Sequence, residues 1–187
     1  MTAPDPARSR GLLLVQMAGS PGTGKSALAA GLGHELGAVV LDKDVVKSAL
    51  LEAGAGWELA GGAANEAMFE IAGSLLGQGL SVILDGPSHY PVIPMRGEAV
   101  ALGHQATYRL IECVCEDLEE VGRRLAGRSA RRSQWPALGS QSPDGSSRAE
   151  AVGPHRWRTH GPAGGWLVLD TSRPVPASLA AALAYLG

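Results

Sequence analysis

The chain has 187 residues, 16 of them basic and 18 acidic, for a net charge of −2. That length suffices for one domain with a sizeable core, while the charge supplies no global field to recruit long nucleic acid or an anionic membrane. One Phe, three Tyr and four Trp are too few to build a base-stacking surface for single strands.

No apolar run approaches the ~20 residues of a membrane span. Residues 1–10 lack the apolar core of a signal peptide and read as a frayed tail. A cytoplasmic protein is the expectation. Cys113 and Cys115 alternate along an apolar run, which suits buried free thiols, and two cysteines alone cannot complete a four-ligand zinc site.

Taken in order, the first element is a short apolar run over 11–18, the pattern of a buried parallel strand. Gly19-Ser20-Pro21-Gly22-Thr23-Gly24-Lys25-Ser26 follows and fills every position of G-x-x-x-x-G-K-[ST]. Leu28, Leu32 and Leu36 then mark a helix over 27–36. Strand, glycine-rich loop and helix in that order form a phosphate cradle. The glycines let successive N–H groups converge on one anion, and the helix N-terminus adds its partial positive charge. Lys25 is placed to bridge β- and γ-phosphates and the Ser26 hydroxyl to ligate Mg²⁺, so ATP or GTP is the expected first ligand. No N/T-K-x-D base-reading motif is present to separate the two.

A second strand over 37–42 ends in Asp42 and runs into a helix carrying Asp44 and Lys47, with Val46, Ala49 and Leu50 on one side. Gly54-Ala55-Gly56 breaks that helix. After Gly61-Gly62 a longer one is expected over 63–78, with Met68, Ile71, Leu75 and Leu76 as its stripe. The run 80–85 is the clearest buried strand. It closes on Asp85, before a Gly86-Pro87 turn and then Ser88, His89 and Tyr90, which should border the same cleft. A helix from Pro91 or Pro94 to Leu102, a strand over 106–114 and a helix over 116–125 come next. From 127 to 164 a basic cluster gives way to a Ser/Pro/Gly-rich stretch with no apolar periodicity, read as a mobile loop. A fifth strand over 166–170 and a helix over 176–186 complete the chain. Strand–helix alternation of this kind gives an α/β fold, a five-stranded parallel sheet with helices on both faces, with ligands at the C-terminal strand ends.

These features together resemble the small P-loop kinases related to nucleoside-monophosphate kinases, a group with shikimate and gluconate kinases, chloramphenicol phosphotransferase and polynucleotide 5′-kinases. The resemblance covers nearly the whole chain and implies a P-loop NTPase fold, with 11–187 as a single kinase domain closed by an Arg-rich lid. It further implies an Asp after the second strand that faces the acceptor hydroxyl and a basic residue three positions on that holds the acceptor. Asp44 and Lys47 match that D-x-x-[RK] arrangement, and i,i+3 spacing puts them on one helix face. Asp42 competes for the role, and either acid could instead cap the helix.

By the same resemblance Asp85 supports Mg²⁺ or positions the acceptor, although a turn-capping Asp would also fit there. His89 could orient a substrate or simply be solvated. Arg123, Arg124, Arg128, Arg131 and Arg132 form the lid, with Arg124 and Arg128 sharing a helix face and neutralising the transferring phosphoryl group. The alternative is a solvated basic helix end. The adenine is implied to lie between this segment and the turn Asp170-Thr171-Ser172. Arg156 and Arg158 are further candidates for the substrate or adenine side.

One departure narrows the acceptor. Between Arg10 and Arg123 only Arg96 and Arg109 occur, too few arginines for a phosphorylated acceptor. The expectation is therefore ATP- and Mg²⁺-dependent phosphorylation of a small-molecule alcohol: a metabolite, natural product or antibiotic. The rivals are a nucleoside, nucleotide or polynucleotide 5′-hydroxyl as acceptor, and a nucleotide-dependent switch or ATPase module. Oligomeric state is left open by the sequence.

Overall fold

The computed structural model of the protein describes residues 11–134, 161–162 and 165–187. The expected tail over 1–10, most of the expected loop over 127–164, and Arg156 and Arg158 lie outside the described residues.

Five parallel strands, β1 (Leu13–Ala18), β2 (Val39–Asp42), β3 (Val82–Asp85), β4 (Thr107–Val114) and β5 (Leu167–Asp170), form one sheet in the order β2-β3-β1-β4-β5. The helices are α1 (Lys25–Leu36), α2 (Lys43–Glu52), α3 (Trp57–Gly77), α4 (Val92–Gly103), α5 (Leu118–Gly127) and α6 (Val175–Leu186). β1 is central, paired with β3 on one side and β4 on the other. Every strand therefore ends at the same sheet edge, where Asp42 and Asp85 stand side by side in register.

Strand periodicity sorts the core. Leu13, Val15 and Met17 of β1 pack with Leu28, Leu32, Ala182 and Leu186 on the face covered by α1 and α6. Leu14 points the other way, into Met68, Phe69, Ala72 and Leu76 of α3 and Ala101 of α4. Gln16 follows Leu14 onto that second face, fully buried, so its amide must be satisfied internally. It donates to Ser88 Oγ at 2.8 Å and accepts from the Tyr108 hydroxyl at 3.0 Å. Gly97 leaves room for it: a Cβ there would fall 2.1 Å from the Gln16 amide oxygen.

Several local readings change in three dimensions. α3 starts at Trp57 and runs straight through Gly61-Gly62. Two glycines cost helix propensity, but Ala60 and Ala64 beside them are fully buried, and tertiary packing outweighs a propensity term of about 1 kcal/mol per glycine. The buried side of α3 is also rotated from the expected stripe: Ile71 is 43% exposed, while Phe69 and Ala72 are inside. On α2, Ser48 and Leu51 are the buried residues and Ala49 faces solvent. No described helix is long and apolar enough to cross a membrane.

Candidate functional site

At the C-terminal edge of the sheet lies an open cleft of about 1540 Å³. Its volume exceeds the ~300–1000 Å³ usual for one small ligand, so two can sit side by side. The loop 19–26 forms one wall, with Arg124, Arg128 and Thr171 above it. Asp42, Asp44 and Lys47 of β2 and α2, Trp57, Gly61 and Asn65 of α3, and His89 after β3 form the other, while Asp85 at the end of β3 belongs to the loop side with Lys25 and Ser26. The expected site residues thus come to one place from five separate segments of the chain.

The loop's shape is fixed by contact as much as by its own turn residues. Gly19 sits at φ +124°, and a Cβ on it would lie 2.2 Å from the Cys113 carbonyl oxygen of β4. Only glycine meets both conditions. Gly24, also left-handed at φ +84°, is the N-cap of α1 and supplies no side-chain cap, so the first-turn N–H groups open toward the cleft. The Ser20 carbonyl gathers the loop from inside, accepting from Thr23 Oγ1 at 2.8 Å and from Lys25 Nζ at 2.7 Å. Burial pushes Lys25 below the usual lysine range, against the attraction of Asp85, Cys113 and Asp44.

Ser26 and Asp85 both line the cleft, where the Ser26 hydroxyl favours the ionised Asp85 carboxylate. Asp85 is 5% exposed. Burial holds its carboxyl above the usual range, opposed by the Ser26 hydroxyl and the Lys25 charge. A hydroxyl and a buried carboxylate are hard oxygen donors, a set that fits Mg²⁺, which takes one or two protein oxygens and completes its shell with phosphate and water. No cluster of three or more His, Cys, Asp or Glu occurs among the described residues, so nothing there competes as an all-protein metal cage.

On the opposite wall the two acids at the start of α2, Asp42 as its N-cap and Asp44 in its first turn, part company. Asp42 caps the helix, accepting from the Asp44 N–H at 2.7 Å, with Arg131 4.0 Å from its other oxygen. Burial raises the Asp42 carboxyl, countered by the Asp44 N–H. Asp44 turns its carboxylate away from capping and into the cleft wall, where Ser133 Oγ donates to Oδ1 at 2.8 Å and Gln134 Nε2 to Oδ2 at 2.9 Å. Lys47 lies with Nζ 3.2 Å over the Trp57 ring, a cation–π pairing that orients both along the cleft. Gly61 passes close by, its missing Cβ only 3.9 Å from Lys47 Nζ.

His89 stacks at a tilt on Tyr90, ring centroids 4.2 Å apart. Burial, with Lys43 and Lys25 nearby, pushes its imidazole down to about 4. Ser88 does not border the cleft as expected; it is buried, donating to the Met17 carbonyl at 2.9 Å beneath the sheet edge.

Above the loop, Arg124 is anchored twice, by Nε to Glu120 at 2.6 Å and by Nη2 to the Thr171 carbonyl at 2.8 Å. Its Nη1 is buried with no hydrogen-bond partner among the described residues and lies 3.4 Å from the Cβ position of Gly24. Arg128 does not share a helix face with Arg124. α5 stops at Gly127, and Arg128 is the extended C-cap residue at φ −92°, ψ 146°. It still lines the cleft, where Asp44 raises and burial, the larger effect, lowers its proton affinity. Thr171 turns its hydroxyl to the loop backbone, 2.6 Å from the Thr23 carbonyl oxygen and 2.9 Å from that of Val114. Its side chain braces the loop from β5.

Sequence reasoning missed Lys43, Ser48, Trp57, Ser133 and Gln134. Ser48 was accessible as the i+4 neighbour of Asp44 on one helix face. Nothing local marks the pair 133–134, which reach Asp44 across 89 and 90 positions of chain.

Residues 14–141 match the model of a protein family described as an AAA domain. The chain belongs to that family. Solved structures that align over nearly all of it include a presumed kinase from Chloroflexus aurantiacus J-10-fl, 20% identical over 95% of this chain and 100% of the other, TM-score 0.67. A second is the Mycobacterium tuberculosis APS kinase in complex with AMPPNP and APS, 18% identical over 94% of this chain and 98% of the other, TM-score 0.66. A third is a gluconokinase from Sinorhizobium meliloti 1021, 14% identical over 94% and 91%, TM-score 0.60. No curated protein matches the sequence. At these identities the likeness establishes the fold: the AAA-domain chain has the α/β P-loop NTPase fold that these kinases share.

Proposed function

We propose that the protein is an ATP- and Mg²⁺-dependent kinase that transfers the γ-phosphate to a hydroxyl of a small molecule. The observation that carries this reading is the division of one cleft into two walls. One wall presents an anion cradle with Lys25, Ser26 and Asp85; the other presents Asp44 with Lys47, Trp57 and His89. A hydrolytic switch needs only the first wall.

In this reading the triphosphate lies on the loop amides, with Lys25 exchanging its Ser20 carbonyl for β- and γ-oxygens. Ser26 and Asp85 would hold Mg²⁺, which would offset the phosphate charge. The vacant Nη1 donor of Arg124 and the guanidinium of Arg128 face the phosphates. Asp44 accepts the proton of the attacking hydroxyl as the phosphoryl group leaves the nucleotide. Lys47 and His89 border the acceptor. His89, kept neutral by burial, can offer a hydrogen bond without adding charge.

Acceptor chemistry follows from what lies away from the cleft. Arg96 is paired with Glu66 at 2.7 Å, and Arg109 lies over the Tyr185 ring at 5.8 Å, so neither meets the acceptor. With Trp57 and Tyr90 on the acceptor wall, the favoured substrate is a neutral or amphipathic alcohol rather than a phosphorylated one or a long nucleic acid.

The test is transfer from γ-labelled ATP with Mg²⁺ to a panel of nucleosides, 5′-hydroxyl oligonucleotides, sugars and hydroxylated antibiotics. Label should appear in one small molecule, vanish in Lys25→Ala, and vanish in Asp44→Asn while nucleotide binding persists. Label confined to oligonucleotides, or ATP binding with no labelled acceptor, would sink the assignment.

A further inference from the structure

Resting on the reading of Asp44 as the base, we infer that Ser133 and Gln134 are positioning residues that hold its carboxylate, and that they latch the segment after α5 onto α2. The turn 131–134 is built for this. Gln134 N–H donates to the Arg131 carbonyl at 2.9 Å, and Arg131 N–H donates back to the Gln134 amide oxygen at 3.1 Å. That second bond fixes the side-chain amide, because an N–H can face only the oxygen end. The –NH₂ is left for Asp44 Oδ2, a carboxylate oxygen that can only accept. The amide is therefore oriented by partners at both ends.

Ser133 and Ser48 make the other half. Ser133 N–H donates to Ser48 Oγ at 3.1 Å, the Ser48 hydroxyl donates to Ser133 Oγ at 3.0 Å, and the Ser133 hydroxyl donates to Asp44 Oδ1. Both serines are at most 5% exposed. The two hydroxyl protons run in sequence toward the carboxylate, while the Ser133 N–H secures Ser48. Each Asp44 oxygen receives one donor and keeps lone-pair capacity for an incoming hydroxyl, so the clamp orients the base without consuming it. The other charged groups that act on this corner are Lys25, Lys43, Asp42, Asp85 and Arg128. Neither Ser133 nor Gln134 adds charge among them, so their effect is one of geometry.

The experiment uses the full chain. Ser133→Ala and Gln134→Ala should each lower kcat about tenfold or more, the worth of a hydrogen bond to a charged group, toward the acceptor labelled in the transfer panel. KM for ATP should be unchanged and Ser133→Thr should restore the rate. Gln134 is only partly buried, so its variant tests the clamp without disturbing the serine pair. Independently of activity, Ser48→Ala should speed hydrogen exchange at the Ser133 amide about tenfold, with Mg²⁺–AMPPNP affinity unchanged. Unchanged kcat in both clamp variants, while Asp44→Asn is inactive, would overturn the positioning role and leave the base assignment standing. Full transfer by Asp44→Asn would overturn the base and the clamp's purpose together. An unaltered Ser133 amide in Ser48→Ala would overturn the latch itself.

Discussion

Replacing Thr171 with Val separates two uses of one side chain. The resemblance to small P-loop kinases places Thr171 against the nucleotide, but its hydroxyl lies 2.6 Å from the Thr23 carbonyl and 2.9 Å from that of Val114. Val keeps the β-branch and removes the donor. The Val114 carbonyl retains the Thr171 N–H at 2.8 Å, and Arg124 retains the Thr171 carbonyl, so the Thr23 carbonyl alone loses its short partner. A buried acceptor stripped of one hydrogen bond costs about 1–3 kcal/mol. For a chain of this size that is a fall in melting temperature of ~2–4 °C per kcal/mol, or about 4–8 °C for a central value of 2 kcal/mol. The assay is thermal unfolding of the nucleotide-free protein, paired with calorimetric titration of AMPPNP. Thr171→Ser, which keeps the hydroxyl, should recover most of the loss. An unchanged melting temperature without nucleotide, together with weaker AMPPNP binding, would refute the bracing role and return Thr171 to direct contact.

Two further outcomes follow from buried titratable groups. His89 is pushed down to about 4 in the folded protein, so between that value and the ordinary 6.5 the unfolded chain binds the extra proton. Stability should then fall as pH drops through this window, and His89→Gln should flatten the fall; an imidazole resonance titrating near 6.5 in the native state would contradict the burial argument. Cys113 and Cys115 are both free and buried, and burial pushes the Cys113 thiol up to about 12. A thiol-reactive disulfide reagent at neutral pH should leave the native protein unlabelled and label both cysteines in denaturant, and rapid labelling of the native protein would count against this packing.

What the sequence by itself determined was whatever is encoded by neighbours. G-x-x-x-x-G-K-[ST] between an apolar strand and a helix specified the anion cradle, because glycine torsions and adjacent N–H groups are local properties. Apolar runs and helical spacing gave the five strands and most helix positions, and the acids at the ends of β2 and β3 marked the sheet edge where Asp42 and Asp85 stand in register. Helix starts and faces were less legible: α3 runs through Gly61-Gly62 and buries Phe69 rather than Ile71, because packing of Ala60 and Ala64 outweighs propensity.

Tertiary structure alone decided the partners of the candidate side chains. The choice between Asp42 and Asp44 could not be read from the chain, since both suit a helix start. In the fold Asp42 accepts the cap hydrogen bond, while Asp44 is taken up by Ser133 and Gln134. Arg124 and Arg128 were expected on one helix face, but α5 ends between them, and Arg124 is fixed by a carbonyl that only the β4–β5 pairing brings near. The reason is the same in each case. A backbone conformation depends on a few adjacent residues, whereas a side chain's partner depends on which distant segments the sheet order sets side by side.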